Sequence, residues 1–318
     1  MTLTTPAPVC LSFVQNDASY YRLIAIAHQA SQAILAIYDC GDYGVQLKDD
    51  ASPLTDADKA AHELIVAGLQ KNWPSIPIVS EEDQDRTAYE SLKREECHWL
   101  VDPLDGTKEF IQKNGQFTVN IGLCQNGQPI AGVVIVPVTG HCYFGGTVYG
   151  AYRLNLNEAM KRNAVINMEA TSAKLATEHI EVEHIVANFA ERVHVASAKW
   201  SDRGLTVMAS RSHGSVLTNA ILATFHEPNL VKSGSSLKIL QVAAGQVHVY
   251  PRLVPCCEWD TCAAHAVLLA AGGHMYQLNS NQKMLRKELE YGKPDLLNPF
   301  FICMGEISDI PEHLLENH

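Results

Sequence analysis

The chain has 318 residues, 47% of them hydrophobic, and a mean hydropathy of −0.05, values that suit a soluble globular protein with a substantial core in one large or two ordinary domains. Its formal net charge of −11, from 24 Lys and Arg against 35 Asp and Glu, disfavours a nucleic-acid polymer as partner, because such binding depends on neutralising phosphates. A small anion can still bind where metals and a few basic residues reverse the local field.

Nine cysteines are scattered without a C-x-x-C pair, which argues against a disulfide framework or a zinc ribbon. There is no basic residue before Arg22, no continuous apolar leader and no apolar run of membrane-spanning length, so a reduced, cytoplasmic setting is expected. From Ser19 to Tyr38, Leu23, Ile24, Ala27, Ala30, Ile34 and Ile37 form one stripe of an amphipathic helix with Ser19 as N-cap. Thr55 and Asp58 then open a second helix, running to about Lys71, in the manner of a capping box with Asp for Glu. The apolar run Ile76 to Val79 reads as a strand that ends in Ser80-Glu81-Glu82-Asp83. Another, from Trp99, runs into Asp102-Pro103-Leu104-Asp105-Gly106-Thr107-Lys108. This turn places two carboxylates and the Leu104 carbonyl on one side of a loop, oxygen ligands of the kind Mg2+ takes. The N–H groups of Gly106 and Thr107, opening a helix, are a cradle for phosphate. Asp-Pro and Asp-Gly are also common turn formers, so the loop alone leaves both readings open.

Phe117 to Cys124 and Pro129 to Val136 read as strands joined by an Asn126-Gly127 hairpin, and Tyr143 to Thr147 and Ala151 to Leu154 extend the sheet. Asn155 to Trp200 is polar, with weak helical periodicity, and reads as an insertion between two subdomains. A lid and an oligomer contact are the roles open to it, and its histidines (His179, His184, His194) fit a solvated face better than metal ligands. Beyond it, strands at Leu205–Ala209, Leu230–Val231 and Val247–Tyr250 alternate with helices at Ser215–Phe225 and Ser235–Ala244. A last alanine-rich helix opens with Asp260 as N-cap in Glu258-Trp-Asp-Thr-Cys-Ala-Ala264 and stops at Gly272-Gly273. Such alternation means layered α and β structure. Ser210-Arg-Ser-His213 taken alone is a polar turn, and Lys238 taken alone lies on a solvated helix face. No repeat, low-complexity tract or helix-turn-helix pattern is present.

Three acidic strand or helix ends thus stand along the chain: Glu81-Glu82, Asp102-Pro-Leu-Asp-Gly-Thr107 and Trp259-Asp-Thr-Cys-Ala263. In that order and spacing they resemble the signature of the inositol monophosphatase superfamily of Mg2+-dependent, lithium-sensitive phosphatases. Within it the chain is most similar to the CysQ-type 3'(2'),5'-bisphosphate nucleotidases. That closer likeness rests on Val101 to Ile111 with Asn114-Gly115, on Phe117-Thr-Val-Asn-Ile121 and Ser210-Arg-Ser-His213, and on Gly234-Ser-Ser-Leu-Lys238 and Tyr250-Pro-Arg252. It spans about Ser19 to Phe301 and implies the sugar-phosphatase fold, an αβαβα five-layer sandwich of class α/β. Residues 1–154 would form an N-terminal subdomain with most metal ligands and 155–200 an inserted connection longer than the family's. Residues 201–318 would then form a C-terminal subdomain carrying Asp260 and the nucleotide-binding residues.

The resemblance further implies that Glu81, Asp102 and the Leu104 carbonyl bind one Mg2+, that Asp102, Asp105 and Asp260 bind a second, and that a weaker third is held through waters. Asp58 would pair with Thr107 to activate the attacking water. Ser210, His213, Gly234 and Lys238 would hold the nucleoside and its non-cleaved phosphate, with Glu81, Leu104, Asp105, Gly106, Thr107 and Asp260 lining the rest of the substrate site. The physics agrees, since Glu81, Glu82, Asp102, Asp105 and Asp260 in one cleft would repel one another and raise their pKa values unless cations are present. No G-x-S-x-G nucleophile motif occurs, and two-metal, in-line displacement needs none.

The expected activity is removal of the 3'-phosphate from adenosine 3',5'-bisphosphate, and from the 3'-phosphorylated sulfate donor, which clears a by-product of sulfate assimilation. The alternatives are an inositol monophosphatase or other sugar phosphatase, and a non-catalytic Mg2+ or nucleotide sensor. The expected partner is a small nucleotide. A monomer and a homodimer are both compatible with the sequence, and peripheral contact with the cytoplasmic face of the inner membrane stays open.

Overall fold

The stripe of apolar residues near the start forms helix α1, Asp17–Cys40, whose Leu23, Ile24, Ala27, Ala30 and Ile34 are fully buried in the computed structural model. The structure describes residues 13–41, 43–48, 53–83, 97–169, 178–210 and 216–316. The N-cap of α1 is Asn16, whose side chain accepts from Ala18 N–H at 3.0 Å, and not Ser19. Ser19 lies inside the helix on its buried face. The helix ends at Gly41, left-handed with φ 80°, as C-terminal glycines do.

A small ribbon of β1 (Gln46–Leu47) and β2 (Pro53–Leu54) precedes α2, Asp56–Asn72, whose N-cap is Thr55 as expected. Then comes a seven-stranded sheet in sequence order: β3 (Ile78–Ser80), β4 (His98–Asp105), β5 (Thr118–Gln125), β6 (Gln128–Val136), β7 (His141–Gly146), β8 (Gly150–Asn155) and β9 (Glu191–Arg192). Only β3 and β4 run parallel. The Asn126-Gly127 turn joins β5 to β6 with both residues at positive φ, 53° and 71°, the conformation of a type I′ hairpin. A short helix, α3 (Thr107–Ile111), follows β4. The expected insertion folds as helices α4 (Leu156–Glu169) and α5 (Glu178–Phe189) before β9. Ile185 and Val186 of α5 join the core beneath α1, while His184 and His194 are exposed; the His179 side chain lies outside the described residues.

After β10 (Ser197–Lys199) come β11 (Thr206–Ser210), α6 (Val216–Leu222), β12 (Asn229–Ser233), α7 (Leu237–Ala243) and β13 (Val249–Arg252). A 3-10 turn, Glu258–Asp260, leads into α8, Cys262–Ala270, and β14 (His274–Leu278), β15 (Met284–Glu288), β16 (Phe301–Met304) and β17 (Glu306–Ser308) follow. The second sheet has six strands in the order β12-β11-β13-β16-β14-β15.

Because side chains alternate across a strand, neighbours such as Leu100 and Val101, or Val133 and Val134, enter different cores. One core lies between α1, α2 and the first sheet; a second holds α7 and α8 between the sheets; a third lies between the second sheet and α6. The result is the five-layer αβαβα order. Helix α8 approaches the first sheet closely because Gly122 and Gly132 stand beneath it. A Cβ on Gly132 would fall 2.2 Å from the Ala263 carbonyl oxygen, and one on Gly122 would fall 2.7 Å from Ala263 N. Seven described cysteines carry free thiols, whereas Cys97 is disulfide-bonded, a departure from the fully reduced set that spacing alone suggested. Among the described residues no helix is long and apolar enough to cross a membrane.

Candidate active site

In a regular strand, residues three apart point to opposite faces, yet Asp102 and Asp105 share a site. The reason is an irregularity in the β4–β5 ladder: Asp102 pairs with Asn120 but Asp105 with Thr118, so β4 carries an extra residue. Such a bulge re-aims a side chain, and Pro103 inside it has no N–H to leave unpaired. Leu104 N–H donates to Asp102 Oδ1 at 3.0 Å, which fixes the buried carboxylate. Gly106, at φ 96°, makes the left-handed turn into α3, a conformation a side chain would strain.

Oxygen atoms of Asp102, Asp105 and Asp260 all lie within 4.8 Å of one another. Burial, and after it the charges of Glu81, Asp105 and Asp260, holds the Asp102 carboxyl well above the usual range. Burial followed by the charges of Asp105 and Glu81 pushes Asp260 up to about 7. Three crowded, partly or wholly buried carboxylates with an oxygen-only donor set are what a hard divalent cation stabilises. The residues therefore fit a metal.

Asp260 does not cap the alanine-rich helix. It closes the preceding 3-10 turn, where its Oδ2 accepts from Cys257 N–H at 2.9 Å, and Thr261 is the N-cap of α8. Asp105 Oδ2 in turn accepts from Ser235 Oγ and Ser236 N–H, both at 2.6 Å. Ser236 Oγ donates to Asn120 Oδ1 at 2.8 Å. Ser235 adopts a left-handed φ of 54° to present these donors, backbone strain of the kind found at working sites. Gly234 lets this corner pack, because a Cβ there would meet Gln116 O and Glu109 Cγ at 2.9 Å, and its own N–H donates to Gln116 Oε1 at 2.9 Å.

Glu81 stands at the end of β3, its N–H donating to Val101 O at 3.0 Å, and its carboxyl group hydrogen-bonds Asp102. Lys48 Nζ lies between Glu81 and Glu82, at 2.7 and 2.6 Å. Burial, against the opposing hydrogen bond from Lys48, pushes Glu82 up to about 7. Asp58 is 1% exposed and has two roles: Oδ2 accepts from the Thr55 N–H (2.7 Å) and hydroxyl (2.5 Å), and Oδ1 accepts from Thr107 Oγ1 at 3.3 Å. Burial raises its pKa.

A cavity of about 160 Å³ opens beside the acids, its wall formed by Asp105, Asp260, Lys108, Lys238, Tyr250 and Arg252 among others. Lys238 is 8% exposed, not on a solvated face, with Nζ 5.8 Å from the centre of the Tyr250 ring. Burial lowers its pKa to about 8 against the pull of Asp105. Arg252 is steered by its Nη1, which donates to Tyr250 Oη at 3.4 Å, and by its Nη2, which donates to Pro255 O at 3.1 Å.

Of the residues expected from sequence, Asp58, Glu81, Asp102, Leu104, Asp105, Gly106, Thr107, Gly234, Lys238 and Asp260 converge on this region. Ser210 ends β11, with its side chain outside the described residues, as is His213. Sequence reasoning did not assign Lys48, whose partners lie 33 and 34 residues away, nor Asn120, Ser235, Ser236 and Arg252. These last four stood within the stretches that carried the family resemblance, which was the available signal.

Comparison with known proteins agrees with this geometry. The model of the inositol monophosphatase family matches residues 16–300. The 3'(2'),5'-bisphosphate nucleotidase CysQ of Escherichia coli K12 is 37% identical over 282 residues, covering 88% of this chain and 97% of that protein. The crystal structure of CysQ from Bacteroides thetaiotaomicron, a bacterial member of the inositol monophosphatase family, superposes with a TM-score of 0.70 at 37% identity over 92% of this chain and 99% of that one. An inositol monophosphatase from Anabaena (Nostoc) shares the fold with a TM-score of 0.59 at 21% identity over 93% of each chain. With nearly its whole length matched and the acidic ends drawn together at one cavity, the chain belongs to the inositol monophosphatase family of metal-dependent phosphatases.

Proposed function

We propose that this chain is a 3'(2'),5'-bisphosphate nucleotidase that hydrolyses the 3'-phosphate of adenosine 3',5'-bisphosphate to give AMP and phosphate, and acts likewise on the 3'-phosphorylated sulfate donor. The observation that carries the reading is the two-signed cavity. The carboxylates of Asp105 and Asp260 and the cations of Lys238 and Arg252 line one space, so Lys238 and Arg252 would face one phosphate of a bisphosphate directly, while the carboxylates would meet the other through the metal ions they hold. The name of the relatives at 36–37% identity supports the same substrate class.

In this reading Glu81, Asp102, the Leu104 carbonyl, Asp105 and Asp260 hold Mg2+, two ions with a third more weakly, and Lys48 neutralises Glu81 and Glu82. When bound, Mg2+ supplies Lewis acidity toward the phosphoryl and leaving oxygens and eases ionisation of water. The chain's own groups orient the reaction. The Thr107 hydroxyl, donating to Asp58, presents its lone pairs to the attacking water and relays the water's proton to that carboxylate, whose raised pKa suits it to receive one. Lys238, Ser210, His213 and Gly234 hold the nucleoside and the phosphate that stays. A cytoplasmic location, as monomer or homodimer, completes the proposal.

The test is phosphate release from adenosine 3',5'-bisphosphate against inositol 1-phosphate, with and without Mg2+ and with lithium added. Mg2+-dependent, lithium-inhibited preference for the bisphosphate is expected. Preference for inositol 1-phosphate would leave the metal site standing and remove Lys238 and His213 as substrate residues.

A further inference from the structure

Behind Asp260 runs a line of polar side chains that the proposed chemistry does not use. Thr261, the next residue, is 2% exposed and occupies the N-cap of α8, where a threonine hydroxyl ordinarily accepts from the first turn of the helix. Here it makes no such bond. Its Oγ1 instead donates back to Glu258 O of the 3-10 turn at 3.3 Å, and accepts from Tyr291 Oη at 3.2 Å and from Asn298 Nδ2 at 3.0 Å. Tyr291 Oη is also 2.9 Å from Nδ1 of the fully buried His265, and His265 Nε2 is 3.2 Å from Glu288 Oε2. The other oxygen of Glu288 meets His274 Nδ1 at 2.7 Å at the surface, while Met275 N–H donates to Oε2 at 2.9 Å. Burial alone would raise the Glu288 pKa, but the hydrogen bonds from His265 and His274 outweigh it and take it to about 2. Glu288 is thus a fixed anion that orients the imidazole, which orients the phenol, which grips the threonine.

We infer that Tyr291, backed by His265, is a positioning residue for Asp260: by donating to the Thr261 hydroxyl that closes back on Glu258 O, it fixes the 3-10 turn and hence the direction of the Asp260 carboxylate. The geometry supports a fixed rather than a yielding turn. Asn298 Nδ2 also donates to Cys257 O at 2.7 Å, and Glu258 N–H donates to Leu296 O at 2.9 Å. The loop carrying Tyr291 therefore clasps the turn on both sides of Asp260, and both Tyr291 and Asn298 reach Thr261, the residue next to the ligand. This inference rests on the reading of Asp260 as a metal ligand.

The experiment is calorimetric titration of the full-length, metal-free protein with Mg2+ and with Mn2+, alongside kcat, KM and melting temperature, for wild type, Tyr291→Phe, Thr261→Val and the double variant. Tyr291→Phe is expected to weaken metal binding by about 10-fold, at the lower end of what loss of a supporting partner costs, and to lower kcat with KM for the bisphosphate within about twofold. Thr261→Val should weaken it at least as much, because it also removes the bonds to Asn298 and to Glu258 O, and the double variant should fall short of additive, since the contact between the two side chains is lost only once. Ile34→Ala, a cavity in α1, serves as the stability control: a comparable loss of melting temperature with metal affinity intact is expected. Wild-type affinity in Tyr291→Phe overturns the inference, as does additivity in the double variant or an equal affinity loss in Ile34→Ala. A wild type that binds no divalent ion overturns both this inference and the metal site. Metal binding with the expected variant pattern but no bisphosphate turnover upholds the positioning role and removes only the proposed substrate.

Discussion

The Thr107 hydroxyl donates to Asp58 Oδ1 at 3.3 Å while Asp58 Oδ2 is held by the backbone and hydroxyl of Thr55. One carboxylate therefore closes the start of α2 and faces the site. The two readings that the sequence left in competition, helix cap and catalytic partner, are compatible because a carboxylate has two oxygens. Thr107→Val, which keeps the shape and removes the hydroxyl, should lower kcat by about 10²–10⁴-fold with little change in melting temperature. Thr55→Ala should cost about 1 kcal/mol of stability and leave far more activity. Steady-state kinetics beside urea unfolding separates them, and a Thr107→Val enzyme of near-normal rate would remove Thr107 from the proton path.

Asp105 and Asp260 are each held by a backbone N–H and placed by separate layers of the fold. Under the proposed function, replacing either with Asn would remove a metal ligand while relieving repulsion among neighbours. Asp105→Asn and Asp260→Asn should each lower turnover by more than about 100-fold, beyond the loss expected for a supporting partner alone. Circular dichroism and the melting temperature of the metal-free variants should match or exceed wild type. Retention of rate would take the residue out of the metal site.

A pH dependence follows from the same crowding. Asp260 and Glu82 are both pushed up to about 7 in the folded protein, above their unfolded values of about 4. Between those values the native state holds protons that the unfolded chain has released, so stability contributed by these groups falls as pH rises. The metal-free protein should melt at lower temperature at about pH 8 than at about pH 5.5, and saturating Mg2+ should raise the pH 8 value most, because it binds the ionised site. Thermal melts at both pH values, with and without Mg2+, check this. A metal-free melting temperature that climbs with pH would contradict it.

The floor under α8 offers a steric test remote from the polar groups. With a Cβ on Gly132 placed 2.2 Å from the Ala263 carbonyl oxygen, Gly132→Ala must push the helix off the sheet. Overpacking of this kind costs about 1–3 kcal/mol, and the displaced Asp260 turn should weaken Mg2+ binding as well. Gly204→Ala, where nothing lies within 4 Å although φ is 80°, should show only a modest strain cost and normal metal affinity. Equal metal affinity in the two variants would break the link between helix height and site geometry.

Much of this arrangement was legible in the sequence wherever a local rule dominates. The period of the α1 stripe, the Asn126-Gly127 hairpin, the Thr55–Asp58 box and the strand-end acids all depend on neighbours within a few residues. What escaped is what depends on distance along the chain or on a single residue of offset. Ser19 and Asp260 each read as N-caps by their chemistry, yet Asn16 and Thr261 hold those positions, because side-chain chemistry alone does not fix a helix boundary to the residue. Thr118 and Asn120 read as sheet scaffold, although they share the face of β5 toward which the β4 bulge re-aims Asp105, where they meet Ser235, Ser236 and Asp105. Lys48 meets Glu81 and Glu82 through a ribbon with no local sign of its destination. In the 155–200 connection, the apolar residues that are buried among the described ones, Leu156, Ala159, Ile185, Val186, Val193 and Trp200, are too scattered to impose a clear period on an otherwise polar stretch.

Gly122 and Gly132 have a larger meaning than helix height. Asp102 and Asp105 belong to the first sheet, Asp260 to the turn before a helix sandwiched between the sheets, and the Ser235–Ser236 support of Asp105 to a corner of the second. Neither half alone carries the set of carboxylates. The two bare glycines are where the halves seat against each other, so the anionic cluster comes into being only with the seam between them. A cation held by that cluster would bridge the two halves, so its affinity would be linked to their closure.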